Sequence, residues 1–169
     1  MGREIAERGM ELVYGGANVG LMGALAEATL HSGGRVVGVM PDLMLRKEIV
    51  HRGLTELRIV GSMHERKKIM SELGEGFIAL PGGCGTLEEW FQALTWAQLG
   101  NHRIPCALLN VEHYFDPVLA LLRKGCDERF IRREYLDMVI CGEGPGELLD
   151  AMERYSPPTV EKWLDLEKV

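Results

Sequence analysis

The sequence predicts an α/β fold, in which a single doubly wound parallel sheet is covered by helices on both faces. Short apolar runs rich in Val, Ile and Leu alternate with stretches of helical periodicity along the chain. Two glycine-rich segments each follow an apolar run and open a helical stretch. At 169 residues the chain is long enough for one domain with a substantial core. We expect this domain over residues 1–155 and a peripheral C-terminal extension over residues 156–169.

The alternation predicts six strands and five main helices. The predicted strands are Leu12 to Tyr14, Val36 to Met40, Leu57 to Val60, Phe77 to Leu80, Cys106 to Asn110 and Met138 to Cys141. The predicted helices are Gly20 to Ser32, Met63 to Leu73, Thr86 to Leu99, Tyr114 to Lys124 and Gly146 to Tyr155. The segment from Gly2 to Gly9 has the pattern of a helix end. Because a doubly wound domain usually opens with a strand, either that first strand is missing or Met1 marks a truncated start.

Composition and charge exclude several classes of protein. The chain carries 19 basic and 25 acidic side chains, a net charge of −6, which disfavours a nucleic-acid partner. No apolar run is long enough to cross a bilayer, and the charged N-terminal segment does not have a signal-peptide pattern. The four cysteines form no Cys-x-x-Cys pair, and the histidines have no metal-ligand spacing. These features predict a cytoplasmic protein with reduced thiols and no metal.

The first glycine-rich loop runs from Tyr14 to Gly23, between a strand and a helix. Glycines let a backbone approach a ligand, and a helix N-terminus favours negative charge. Gly15 and Gly16 are therefore candidate substrate-binding residues. The spacing does not match the dinucleotide fingerprint, so NAD is not indicated. A tight strand-to-helix turn explains the loop equally well.

The second glycine-rich loop runs from Leu80 to Glu89 and gives a stronger indication of phosphate binding. Its three glycines, Gly82, Gly83 and Gly85, can expose consecutive N–H groups to an anion. Thr86 is expected to be the N-cap of the following helix and to lend its hydroxyl to the anion. No Lys follows the glycines, so a single phosphate is favoured over a triphosphate. The structural alternative is ordinary turn chemistry.

Charged side chains flank the two loops in the predicted fold. Arg66 and Lys67 begin the helix after the third strand, whose carboxyl end should share one edge of the sheet with both loops. Met63, at the start of the same helix, is a further candidate binding residue. Glu88 and Glu89 are expected in the first turn of the helix after the second loop, where the helix dipole alone could explain them. Beside an anion site, however, two carboxylates would suit the ribose of a nucleotide.

The segments Ser62 to Lys67 and Phe77 to Glu89 together closely resemble the LONELY GUY phosphoribohydrolases, which are often mislabelled lysine decarboxylases. The family signature, Pro-Gly-Gly-x-Gly-Thr-x-x-Glu, is matched from Pro81 to Glu89, and the resemblance covers about Gly2 to Phe130. The resemblance implies a Rossmann-like fold. It implies hydrolysis of purine nucleoside 5′-monophosphates, AMP or cytokinin ribotides, to free base and ribose 5-phosphate. Neither a cofactor nor a metal is implied, and family members are usually homodimers.

The resemblance also assigns roles to individual residues. Arg66 and Glu89 match the family's catalytic pair. The positions that match substrate-binding residues are Glu48, Arg66, Lys67, Gly83, Cys84, Gly85, Thr86, Leu87, Glu88 and Thr95. The sequence departs from the family pattern at Ser62, where Asp is usual, and at Cys84, where Tyr is frequent.

Three other interpretations remain open from the sequence. The chain could be a non-catalytic nucleotide-binding or molybdenum-cofactor carrier protein of the same fold. It could be a pyridoxal phosphate enzyme using Lys47, Lys67 or Lys68, although all three lie in polar surroundings. Cys84 could be a nucleophile activated by the helix N-terminus, but no His partner is assignable.

One helix also bears on assembly. Trp90, Phe91 and Leu94 have helical spacing, which predicts a core or subunit contact. An exposed apolar face on the helix from Thr86 to Leu99 would favour self-association as a homodimer.

Overall fold

The chain forms two compact units, each built around a parallel sheet. The computed structural model describes residues 1–45 and 50–158, and the units divide at Gly74 and Glu75. In each unit three parallel strands are hydrogen-bonded into a sheet, and helices pack against it. The predicted α/β class with parallel strands is therefore confirmed, with the described strands paired in two sets of three.

The first unit contains the sheet that carries the first glycine-rich loop. Its elements are α1 Gly2–Glu7, β1 Glu11–Tyr14, α2 Gly20–His31, β2 Arg35–Pro41, α3 Asp42–Leu45, β3 Glu56–Val60 and α4 Met63–Leu73. Strand β2 lies in the middle and pairs in parallel with β1 and β3. Leu12 lies opposite Val36, and Leu57 lies opposite Gly38. The carboxyl ends of the three strands consequently meet at one edge of this sheet.

Strand β2 lies at the centre of the hydrophobic core of the first unit. Val36, Val37, Val39 and Met40 are each at most 2% exposed, so both faces of this strand are covered. A strand that is buried on both faces is expected to read as a continuous apolar run, as β2 does. The helix predicted at the start of the chain is confirmed as α1, which contacts α2.

The second unit contains the sheet that carries the second glycine-rich loop. Its elements are β4 Phe77–Ala79, α5 Cys84–Gln98, β5 Cys106–Leu109, a 3₁₀ turn Val111–His113, α6 Asp116–Asp127, α7 Arg133–Leu136, β6 Val139–Gly142 and α8 Pro145–Glu153. Strand β5 lies in the middle, with Ala107 opposite both Ile78 and Ile140. The second glycine loop and the segment after β5 therefore leave the same edge of this sheet.

The core of the second unit forms between α5 and strand β5. Trp90 and Leu94 on α5 are at most 3% exposed, and Leu108 and Phe115 are fully buried in the same cluster. The predicted core position of the α5 apolar residues is therefore confirmed. The expectation that this face is exposed is wrong, because it packs onto its own sheet. Burial also raises the pKa of the Cys106 thiol to about 12, which keeps it protonated at neutral pH.

Truncation of Leu108 tests this core. We expect Leu108→Ala to lower the free energy of unfolding by about 2–5 kcal/mol, because it removes buried methyl groups and leaves a cavity. Leu121→Ala is a matched control, since Leu121 is 64% exposed, and it should change stability by less than about 0.5 kcal/mol. Urea denaturation followed by circular dichroism measures both values. Equal effects of the two substitutions would contradict the assignment of the core.

Two other expectations concern the ends and the membrane. The domain over residues 1–155 and the extension over residues 156–169 stay predictions, and residues 159–169 lie outside the described part of the chain. Among residues 1–45 and 50–158, no helix combines the length and the apolar character that a membrane span requires.

Candidate active site

The first glycine loop has a backbone shape that requires glycine at two positions. Gly16 and Gly20 have φ angles of +78° and +55°, in the left-handed region that other residues avoid. The Tyr14 hydroxyl, which is buried, donates to the carbonyl of Ala17 at 3.3 Å across the loop. Burial first, and the charge of Glu27 second, raise the pKa of Tyr14 to about 12, so it remains a neutral donor.

Helix α4 begins in a well-capped turn that fixes the direction of its first residues. The Ser62 hydroxyl accepts the Glu65 N–H at 3.1 Å, and the Glu65 carboxylate accepts the Gly61 N–H at 2.8 Å. Reciprocal capping of this kind satisfies N–H groups that have no partner within the helix. Arg66, in the first turn of α4, is half-buried, and its Nε donates to the carbonyl of Val39 at 3.2 Å. The prediction that Arg66 lies at the same edge as the first glycine loop is confirmed within this unit.

Gly15 provides the space that the Arg66 guanidinium occupies. A Cβ built on Gly15 would collide with Nη2 of Arg66, and the three heavy atoms nearest to it all belong to the Arg66 guanidinium. The φ of Gly15 is not in the left-handed region, so the backbone alone does not demand glycine here. Gly15 leaves room for Arg66 to lie across the carboxyl end of β1, and its predicted role in substrate binding stays a prediction.

A small apolar cavity of about 90 Å³ lies beside Arg66. Its lining consists of Gly15, Ala17, Met22, Met40, Pro41, Met44, Met63 and Arg66. Four of these eight residues are methionines, whose flexible and polarisable side chains adapt to an apolar ligand. Met63 was predicted as a binding residue and does line this cavity. The other three methionines were missed, because they are far apart in the sequence and show no spacing pattern.

The buried residue His51 is hydrogen-bonded to the first glycine loop. Val50 pairs with Ala17, and the His51 N–H donates to the carbonyl of Gly16 at 3.0 Å. The ring Nδ1 accepts the Gly53 N–H at 3.1 Å, and Nε2 lies 3.0 Å from the Glu27 carboxylate. In this arrangement Nδ1 is the acceptor of the ring, and Nε2 faces the carboxylate. The predicted substrate-binding residue Glu48 lies just before this segment, outside the described residues.

The second glycine loop enters helix α5 two residues earlier than the sequence predicted. Gly83 is the N-cap and Cys84 the first helical residue, so the prediction of Thr86 as N-cap is wrong. Gly82 lies so close to the Thr86 hydroxyl that a Cβ there would collide with it. Thr86 is therefore inside the first turn, with its hydroxyl against the glycine loop. At Gly83 and Gly85 a Cβ would meet nothing within 4 Å, so these positions face open space.

The earlier start of α5 also moves the two acidic residues. Glu88 and Glu89 are the fifth and sixth residues of the helix, so the prediction that they lie in its first turn is wrong. Because the effect of the helix dipole falls off within the first turn, it gives a weaker explanation for two carboxylates at these positions. Glu88 is exposed and Glu89 is half-buried. Glu89 is thus the more sheltered of the two.

Comparison with known proteins decides the family. A protein-family model described as "Possible lysine decarboxylase" matches residues 22–152. A cytokinin riboside 5′-monophosphate phosphoribohydrolase of Rhodococcoides fascians is 55% identical over 132 residues, which cover 78% of this chain and 67% of that protein. The chain belongs to the LONELY GUY family of phosphoribohydrolases. A probable cytokinin riboside 5′-monophosphate phosphoribohydrolase of Oryza sativa subsp. japonica is 46% identical over 92% of this chain and 70% of its own length.

Solved structures show the same fold at much lower sequence identity. The molybdenum cofactor binding protein of the phototrophic bacterium Rippkaea orientalis superposes with a TM-score of 0.67 and 22% identity, over 90% of this chain and 81% of that one. The molybdenum cofactor carrier protein of Chlamydomonas reinhardtii gives a TM-score of 0.64 and 21% identity, with the same coverage of both chains. The Rossmann-like fold of this LONELY GUY chain is therefore shared with proteins of another function.

The LONELY GUY signature, Pro81 to Glu89, spans the exit of β4, the glycine loop and the start of α5. Within it, the Leu87 side chain packs against the core of the second unit. Thr95 lies two turns beyond Glu88 on α5, and its hydroxyl donates to the carbonyl of Phe91 at 2.7 Å. Lys67 is half-buried next to Arg66 on α4. The substrate-binding roles of these residues stay predictions.

The lysines considered for a pyridoxal phosphate enzyme and the cysteine considered as a nucleophile can be located in this LONELY GUY chain. Lys68 is exposed and pairs with Glu72 at 3.8 Å along α4, while Lys47 lies outside the described residues. Cys84 is an exposed, reduced thiol at the first helical position of α5. In the part of the chain that the structure describes, no three His, Cys, Asp or Glu side chains gather where a metal ion could bind.

One contact of the second loop was not predicted from the sequence. The Tyr114 hydroxyl, from the segment after β5, donates to the carbonyl of Gly82 at 2.6 Å. The sequence gives only an indirect signal for this contact, the prediction of a parallel sheet. Because β4 and β5 are neighbours in that sheet, the segments after Ala79 and Leu109 share one edge.

Proposed function

We propose that this chain hydrolyses the N-glycosidic bond of purine nucleoside 5′-monophosphates, AMP or cytokinin ribotides, and releases the free base and ribose 5-phosphate. The observation that carries the proposal is the second glycine loop, which leads directly into the N-terminus of α5 with open space at Gly83 and Gly85. The first N–H groups of a helix have no partner within the helix, so they can bind an anion. The names of the relatives of Rhodococcoides fascians and Oryza sativa support the reaction class.

In this proposal, the 5′-phosphate binds the loop from Gly82 to Thr86. The Thr86 hydroxyl and the backbone N–H groups at the start of α5 would hold its oxygens. The loop has no lysine that would bind a second or third phosphate group, which suits a monophosphate. Binding energy from the phosphate would position the ribose for reaction, although the phosphate itself does not react.

Arg66 and Glu89 are proposed to carry the chemistry. Water attacks C1′ of the ribose, the bond from C1′ to the base nitrogen breaks, and the base leaves with the bonding electrons and takes up a proton. The ribose is oxocarbenium-like in the transition state, so a carboxylate at Glu89 would stabilise it and could accept a proton from the water. Arg66 would fix the sugar-phosphate and offset the negative charge that develops. Glu48 and Glu88 would bind ribose or base groups.

The methionine-lined cavity supports a substrate with an apolar portion. Its lining offers one guanidinium and a largely hydrocarbon and thioether surface. An adenine with an apolar substituent on its exocyclic nitrogen would bury more apolar surface there than adenine itself. Cytokinin ribotides have such a substituent, whereas AMP does not.

A homodimer and a cytoplasmic location are the remaining parts of the proposal. Leu99 and Phe130 of the second unit are 65% and 87% exposed, and exposed apolar side chains of this size favour self-association. All four cysteines are free thiols, which suits a reducing compartment.

A nucleotide panel tests the proposed reaction. The protein is incubated with AMP, isopentenyladenosine 5′-monophosphate and adenosine, and the free base is measured by chromatography. We expect base from the monophosphates and a kcat/KM at least about 100-fold lower for adenosine, because adenosine cannot use phosphate binding. Binding of the monophosphates without release of base would instead support the non-catalytic nucleotide-binding or carrier function that the sequence left open.

A further inference from the structure

Tyr114 makes a short hydrogen bond to the second glycine loop. Its hydroxyl donates to the carbonyl of Gly82 at 2.6 Å, although the side chain is 49% exposed. The ring packs edge-on against Phe115 at a centroid distance of 5.1 Å and an angle of 87°. Because Phe115 is fully buried, it anchors the aromatic ring while the hydroxyl reaches the loop.

The segment that carries Tyr114 is held in an unusual backbone conformation. Glu112 and His113 have φ angles of 51° and 59°, the left-handed region that is unfavourable for residues with a Cβ. Asn110 stabilises this turn: it is 5% exposed, and its side-chain oxygen accepts the Phe115 N–H at 2.6 Å. The surrounding contacts therefore maintain a strained turn, and the turn delivers the Tyr114 hydroxyl to the glycine loop.

The contact determines where the next N–H of the loop points. In a planar trans peptide, the Gly82 carbonyl and the Gly83 N–H point in opposite directions. A peptide between two glycines has few steric limits on its orientation, so a hydrogen bond to its carbonyl has a large influence. When Tyr114 holds the carbonyl, the Gly83 N–H is directed to the other side of the peptide plane.

We propose that Tyr114 is a positioning residue for the 5′-phosphate: it orients the Gly82–Gly83 peptide so that the Gly83 N–H joins the anion-binding groups at the start of α5. This inference rests on the proposed phosphate-binding role of the loop. Tyr114 acts through the loop and need not touch the substrate.

Removal of one hydroxyl tests this role. Tyr114→Phe keeps the ring on Phe115 and loses only the hydrogen bond to Gly82. We expect KM for AMP to rise about 3- to 10-fold, the effect of one neutral hydrogen bond, while kcat stays within about twofold. The Kd for ribose 5-phosphate, measured by calorimetry without turnover, should rise by the same factor. A purely structural role would lower the melting temperature without this separation of KM from kcat.

The matched control is Tyr135→Phe. Tyr135 lies on α7, before β6, so it belongs to the opposite edge of the same sheet, and its substitution should leave KM and the Kd unchanged. If Tyr114→Phe binds ribose 5-phosphate as the wild type does, the positioning role is wrong. If Tyr114→Phe binds it more weakly but the wild-type protein releases no base from any monophosphate, the positioning role stands and only the hydrolase proposal fails.

Discussion

Glu89→Gln is expected to lower kcat for AMP by about 100-fold or more, with a much smaller change in KM. Glutamine keeps the size and hydrogen-bonding reach of the side chain but removes its negative charge and its ability to accept a proton. Under the proposed mechanism both properties matter most in the transition state, when positive charge develops on the ribose. Steady-state release of base, with circular dichroism to confirm folding, measures the effect.

Two further substitutions make the result for Glu89 specific. Glu88→Gln changes the neighbouring carboxylate, which is exposed, and should act mainly on KM because this residue is proposed to bind substrate. Glu128→Gln removes an exposed carboxylate that pairs with Lys124 at 3.9 Å, and should leave both constants unchanged. A kcat for Glu89→Gln within threefold of the wild-type value would remove the catalytic role of this residue.

Local patterns in the sequence predicted the helices that position the site, but not all of their boundaries. Helix α4 runs over Met63–Leu73, as the periodicity predicted, because Ser62 and Glu65 provide an unambiguous cap. At α5 the same reasoning failed. Thr and Gly are about equally good N-caps, so preference alone could not choose between Thr86 and Gly83, and Gly83 occupies that position. The helix begins at Cys84, which places Thr86 inside its first turn with the hydroxyl against Gly82.

Long-range contacts at the site could not be predicted from the sequence. The cavity collects Met22, Met40, Met44 and Met63 from four separate segments, which come together only through the pairing of β1, β2 and β3. Likewise, Tyr114 reaches Gly82 across 32 residues because β4 and β5 are neighbours. A one-dimensional pattern identifies residues with suitable chemistry, but which side chains meet depends on strand order and side-chain direction.

The contact between Gly15 and Arg66 yields the second large prediction. Gly15→Ala adds one methyl group at a position where φ permits alanine, so the backbone need not change. The methyl group would overlap the Arg66 guanidinium, which is the flexible end of a long side chain and can move away. We therefore expect little loss of stability but a fall in kcat/KM of about 10- to 100-fold, because a misplacement of about 1 Å can have an effect of this size.

A double-mutant cycle separates this mechanism from a general disturbance of the loop. If Gly15→Ala acts by displacing Arg66, the double variant Gly15→Ala/Arg66→Ala should be no less active than Arg66→Ala alone. Gly61→Ala is the matched control, since its methyl group would meet only Glu65 at an ordinary 3.5 Å, and it should retain full kcat/KM. Independent, additive losses in the double variant would show that Gly15 contributes something other than space for Arg66. Wild-type kcat/KM in Gly15→Ala would show that the position of the guanidinium against β1 does not matter for the reaction.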